Sequence, residues 1–217
     1  MQILAICGSP RGAKSQTKQL AEKALEAAHA QGAEVTLVDL SRAAIGFCRA
    51  CELCHRGPNC ALDDDGRAII EAMLNADGIL LASPVYLNQV TAQLKTILDR
   101  TSHFVHCLRL TGRYMAALTT SGGGGGAEVH SYLRSYCALV GAQFVGSLDE
   151  RAPLRAEASA AAATLVEDLA TAIREKRVYP DQTAILAANR ARFAQLIAHR
   201  RESWPYEYDY WKQQGWL

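Results

Sequence analysis

Apolar runs and helical stripes alternate along the first 150 residues, and this pattern predicts the elements. QILAIC (2–7) is a short, nearly continuous apolar run of the kind a buried parallel strand needs. AEVTLVDL (33–40), DGILLASPVY (77–86), RYMAALTTSGGGGG (113–126, ending in a glycine loop) and AQFVGSLD (142–149) supply four further strands. Helical patterns separate them. LAEKALEAAHAQG places Leu20, Ala24, Ala27 and Ala28 on one side and stops at Gly32. LDDDGRAIIEAMLNA (62–76) opens with acids suited to a helix N-terminus. VTAQLKTILDRTSHF groups Val90, Leu94, Ile97 and Leu98, and residues 127–140 form the next helix. The alanine-rich stretch 155–176 is helical by propensity. Strand–helix alternation of this kind predicts an α/β fold with a doubly wound, five-stranded parallel sheet, for which the order 2-1-3-4-5 is one common solution.

Two segments fall outside that scheme. A cysteine-rich insert (46–62) interrupts the alternation, and a further helix after Pro180 leads into the tail WPYEYDYWKQQGWL. The chain therefore divides into 1–178, carrying the sheet and the insert, and a C-terminal extension, 179–217. The last 14 residues hold all three tryptophans and three of the eight tyrosines. A free tail of that composition would expose more apolar surface than soluble monomers tolerate. It must fold back on its own domain or reach a second subunit, and the sharper expectation is an arm that builds a subunit interface.

Composition narrows the function classes. The 217 residues are 49% apolar and 21% charged, with a formal net charge of +1, which gives no basic footprint for nucleic acid. No apolar stretch approaches the roughly 18 residues of a membrane span. The start MQILAICGSPRG lacks a signal-peptide pattern, so a cytoplasmic protein with reduced thiols is expected.

In an open parallel sheet, ligands bind beyond the carboxyl ends of the strands. The loops gathered there read GSPRGAKSQT, SPVYLNQ and TTSGGGGG. The first feeds a helix start, where free backbone N–H groups and the helix dipole favour an anion. Ser9, Arg11, Ser15, Gln16 and Thr17 add donors around it. The loop is not a dinucleotide fingerprint, and Ala13 stands where a triphosphate-binding loop requires its second glycine. SPVY offers a flat surface for a ring, and the glycine run offers bare backbone for close approach. A phosphate pocket beside a planar slot suits FMN better than ATP.

Four of the seven cysteines, Cys48, Cys51, Cys54 and Cys60, lie in GFCRACELCHRGPNC with the spacing Cys-x2-Cys-x2-Cys-x5-Cys. Such spacing lets thiolates grip neighbouring irons of one cluster, with the fourth ligand returning after the Gly57-Pro58 turn. A zinc site, a redox dithiol and a plain thiol-bearing loop remain alternatives. His55, amid basic residues, reads as exposed, and Cys7, Cys107 and Cys137 read as buried apolar residues.

Taken together, CGSPRGAKSQT, the cysteine segment followed by LDDD, SPVYLNQVTAQLKTILDRT and TTSGG resemble the flavodoxin-like NAD(P)H-dependent FMN reductase family, and most of all its iron–sulfur flavoprotein branch. The resemblance spans about residues 1–150 and implies an FMN oxidoreductase drawing electrons from NAD(P)H and passing them to a small-molecule acceptor. By position it implies that Ser9, Arg11, Ser15, Gln16 and Thr17 hold the FMN phosphate. Pro84, Val85, Tyr86, Leu87 and Asn88 would line one side of the flavin, with Thr120, Ser121, Gly122 and Gly123 on the other. Gln16 replaces the family's usual Asn but keeps the amide. Asn88 stands where Gly is frequent, and Asn tolerates left-handed backbone angles. Lys95, Asp99 and Arg100 read as helix-surface structure. The branch implies a 4Fe–4S cluster on the four cysteines, and the family implies a homodimer or homotetramer. An electron carrier fed by ferredoxin is the second reading; a kinase-like phosphate-binding protein is the third.

Overall fold

The computed structural model describes residues 1–217. Five strands form one parallel sheet in the order β2-β1-β3-β4-β5: β1 (Gln2–Cys7), β2 (Glu34–Asp39), β3 (Gly78–Pro84), β4 (Tyr114–Ser121) and β5 (Gln143–Arg151). Register follows directly from the strands, with Ile6 of β1 paired to Val38 of β2 and Leu81 of β3. The apolar runs are continuous because the inner strands are covered on both faces. Leu4 and Ile6 of β1, Ile79 and Leu81 of β3, and Met115 and Ala117 of β4 enter one core. Their neighbours Ile3, Ala5, Leu80, Ala82, Ala116 and Leu118 enter the other.

Helix α1 (Gln16–Ala30) and helix α6 (Ala158–Glu175) cover the second core, through residues such as Leu20, Ala24, Val166 and Leu169. The first core is covered by α2 (Asp65–Asn75), α3 (Ala92–Arg100), α4 (Ser102–Cys107) and α5 (Gly126–Leu139). The single helix expected over 90–104 is two. Thr101 breaks it, because its hydroxyl donates to the Leu98 carbonyl at 2.7 Å and lies 2.8 Å from the Tyr136 hydroxyl. Cys7, Cys107 and Cys137 are buried as expected, and burial pushes all three thiols up. No helix is long and apolar enough to cross a membrane.

The extension supplies α7 (Pro180–His199) and α8 (Pro205–Gln213). Of the two placements open to the tail, the chain takes the one that folds back on its own domain. Trp204 and Trp211 pack with Phe193, Ile197, Cys107 and Leu108 in a third core between α4, α7 and α8 of the same chain. The Trp211 indole N–H donates to the His106 carbonyl at 3.0 Å. Arg190 lies 4.5 Å over the ring of Trp216 and Arg109 lies 4.6 Å over that of Tyr210. An aromatic tail buries its rings wherever apolar surface is nearest, and α4 offers that surface within the chain. Trp211→Ala should cost about 3–5 kcal/mol by opening a cavity in this core. A urea unfolding curve reads the loss, and an unchanged midpoint would show that the third core contributes nothing.

Candidate functional site

Two cavities meet the residues singled out above. The first, of about 290 Å³, lies at the carboxyl edge of the sheet. Ser9 and Arg11 from the loop after β1, and Ser15, Gln16 and Thr17 from the start of α1, form one wall. Pro84 ends β3 and Val85 and Tyr86 follow it, and Thr120, Ser121 and Gly122 close the opposite side. The neighbouring Leu87, Asn88 and Gly123 lie outside this wall. Ala152, after β5, joins it; an alanine carries no sequence signal that could have marked it.

Local chemistry holds these loops in place. Ser15 caps α1 by accepting from the Lys18 N–H at 3.0 Å. The Thr17 and Thr120 hydroxyls lie 2.6 Å apart, joining the first loop to the end of β4. Thr91 donates to the Gly8 carbonyl at 2.6 Å and caps α3. A Cβ on Gly8 would sit 2.7 Å from that of Leu94, so only glycine lets the loop approach so closely. Tyr86 and Gln89 exchange backbone hydrogen bonds across a two-residue turn. Both turn residues are left-handed, Leu87 at φ 51° and Asn88 at φ 59°, as a primed turn requires. Asn88 thus holds the left-handed turn that its identity suggested. Leu87 is strained and wholly exposed, a combination typical of functional edges. At Gly125 (φ 86°) a Cβ would fall 2.5 Å from Asn88 Oδ1, which explains part of the glycine run. The cavity fits an anionic group. It faces the N-terminus of α1, and the side-chain oxygen of Gln16 is buried without a partner, leaving an amide free to turn its N–H toward an anion.

The second cavity, of about 560 Å³, brings Cys48, Cys51, Cys54 and Cys60 to one space. Ala50 (φ 50°) and Glu52 (φ 58°) take left-handed angles between them, winding the segment around that space. Acidic residues clasp the segment at its base. Asp64 caps α2, accepts from the Gly46 N–H at 2.9 Å, and pairs with Arg100 at 2.8 and 3.1 Å. Asp65 accepts from the Ala44 N–H at 2.7 Å. Arg100 is therefore not a surface residue. It is buried, donates to the Gly46 carbonyl at 2.9 Å, and lies against the Cys60 thiol. Lys95 and Asp99 do remain an exposed pair. His55 is likewise buried rather than exposed, with Nδ1 2.6 Å from Glu207 Oε1. Neither burial was legible locally, because the partners lie 36 and 152 residues away.

The donor set suits a metal cluster. Four cysteines line one cavity, and Arg100 lines it too with its Nε unpaired. Burial pushes the Cys54 thiol up to about 11, with the nearby Cys60 adding to this and the Ser102 hydroxyl opposing it. That is the reverse of the depressed thiol a disulfide-exchange centre uses.

A parallel five-stranded sheet in this order, with an anion cavity at its switch point, defines a flavodoxin-like protein. The chain belongs to the NADPH-dependent FMN reductase family, whose pattern matches residues 1–149. An iron–sulfur flavoprotein of Methanosarcina thermophila is 41% identical over 100 residues, covering 46% of this chain and 52% of that protein. One from Archaeoglobus fulgidus is 34% identical over 128 residues, covering 59% of this chain and 58% of that one. The chain thus spans about half the length of the curated relatives it matches. In fold it is similar to RosB, solved with a bound riboflavin-5'-phosphate intermediate, at TM-score 0.68 and 16% identity over 88% of this chain and 87% of that one.

Arg100 carries the testable consequence. Its pairing holds the Asp64 carboxyl below its usual range, against the opposing effect of burial. Arg100→Met leaves that carboxylate without its cation and should cost about 3–5 kcal/mol at neutral pH. A depressed carboxyl contributes stability above its unfolded value, near 3.9, and loses it as pH falls through its folded value. The gap between wild type and variant should therefore close below about pH 3–4 in denaturation curves taken across pH. A gap independent of pH would assign the loss to packing alone.

Proposed function

We propose that this protein is an FMN-dependent oxidoreductase that uses NAD(P)H to reduce a small acceptor, with a 4Fe–4S cluster on Cys48, Cys51, Cys54 and Cys60. The observation that carries this reading is the presence of two cavities, one at the N-terminus of α1 and one lined by four cysteines, on a single flavodoxin-like frame. When bound, the flavin would supply hydride acceptance and electron return to an acceptor. This chain's residues would bind and orient. Ser9, Arg11, Ser15, Gln16 and Thr17, with the α1 dipole, would hold the phosphate. Pro84, Val85 and Tyr86 would wall one side of the ring system, and Thr120, Ser121 and Gly122 the other. No side chain is assigned as an acid or base. Seven free thiols support a reducing, cytoplasmic setting.

A second reading, an electron carrier fed by ferredoxin, is favoured by the four cysteines that line one cavity. The exposed Leu87 and Tyr86 beside this cavity support a homodimer or homotetramer.

Arg11→Ala should weaken FMN binding about 10- to 150-fold, the cost of one charge-assisted hydrogen bond, with the fold unchanged. Fluorescence titration of the apoprotein with FMN reads this, and an unaltered affinity removes Arg11 from the site. Cys51→Ser should abolish iron–sulfur absorbance after anaerobic reconstitution while FMN stays bound. Wild-type protein that takes up FMN but no iron or sulfide would leave the flavin reading standing and end the cluster reading.

A further inference from the structure

The cysteine cavity has a second wall, built by residues beyond position 149, where the family match stops. Arg200 and Trp204 line it from the turn between α7 and α8. Glu207, in the first turn of α8, is completely buried. His55 Nδ1 lies 2.6 Å from its Oε1, and His106 Nδ1 lies 3.4 Å from its Oε2. Trp204 stacks on His106 with ring centroids 4.8 Å apart and planes 13° from parallel, and lies 4.5 Å from the His55 ring. Its indole N–H donates to Glu52 Oε2 at 3.2 Å.

These contacts converge on one short turn. Glu52 lies between Cys51 and Cys54, His55 follows Cys54, and Glu52 holds a left-handed backbone angle. Such strain persists only where the surroundings enforce it. A buried carboxylate is also costly unless it is paired. The third core does not need one, since Phe193, Ile197 and Trp211 pack as apolar side chains. Glu207 is instead spent on the cysteine turn. The same side chains could ligate an ion in principle. Yet 2.6 Å between His55 and Glu207 is a direct hydrogen bond, too close for two ligands spread around a metal.

We propose that the C-terminal extension is a latch for the cysteine cavity. Glu207 and Trp204 hold the Cys51–Cys54 turn in ligand geometry and close the cavity's back wall against solvent. Both are positioning residues. The proposal rests on the reading that the four thiols hold a cluster. Cluster loss begins when a thiolate leaves its iron and water or a chelator enters, and the shell around a metal site controls both events.

The test uses full-length protein reconstituted anaerobically, as wild type, Glu207→Leu and Trp204→Phe. Bleaching of the iron–sulfur absorbance by EDTA should run about 10- to 100-fold faster in the variants, the usual cost of losing an outer-shell partner. The FMN band should stay. Amide hydrogen exchange over residues 48–60 should speed up in the variants even before iron is added, while exchange in the sheet stays as in wild type. Wild-type bleaching rates and unchanged exchange in both variants would overturn the latch and leave the cluster reading intact. If wild type takes up no iron, the cluster reading fails, and faster exchange confined to 48–60 would still establish the latch on the turn. A stoichiometric divalent ion in wild type that Glu207→Leu loses would overturn the latch in favour of an ion site.

Discussion

The pair between buried Arg100 and half-buried Asp64 is the contact that fixes the base of the cysteine segment. The cysteine segment has only one short helical turn of its own, Leu53–His55, and few apolar residues to bury. Its base is held instead by charge. Asp64 takes the Gly46 N–H while Arg100 takes the Gly46 carbonyl, so one backbone unit is gripped from both sides. Desolvating an ion pair gains little stability over an apolar contact, but removing one partner is severe. Such a pair serves better to specify a geometry than to add stability.

Arg100 also ends a helix that begins at the other site. Helix α3 starts at the Thr91 cap, whose hydroxyl bonds the Gly8 carbonyl of the anion loop, and ends at Arg100 in the wall of the cysteine cavity. Nine residues of helix span roughly 13 Å. A single helix thus links the loop after β1 to the wall of the cysteine cavity. Both sites concentrate backbone strain as well. Leu87 and Asn88 at one, and Ala50 and Glu52 at the other, are left-handed without being glycine. Leu87 and Asn88 sit in a turn closed by the Tyr86–Gln89 backbone bonds, and Glu52 accepts from the Trp204 indole.

The extension changes the meaning of the family match. Residues 1–149 carry the sheet, the anion loop and the four cysteines. The back of the cysteine cavity nevertheless comes from Arg200 and Trp204, with Glu207 behind them. A frame shared with other family members is thus completed by a segment outside the shared region.

Residue order alone determined the strands, their parallel arrangement, most helix limits and the gathering of three loops at the sheet's carboxyl edge. Those features follow from local periodicity and from chain connectivity that permits few topologies. It also marked the donors that line the first cavity and the four cysteines that line the second, because each set lies close together in the chain. Tertiary structure alone decided where the aromatic tail packs and that Arg100 and His55 are buried. It also decided which ring-side residues reach the cavity wall: Val85 and Tyr86 do, while Leu87 and Asn88 turn away. The tail and both buried residues depend on partners far along the chain, and the ring-side residues on how a local turn meets the cavity. No window of neighbouring residues contains Glu207 together with His55, and burial is a property of that meeting.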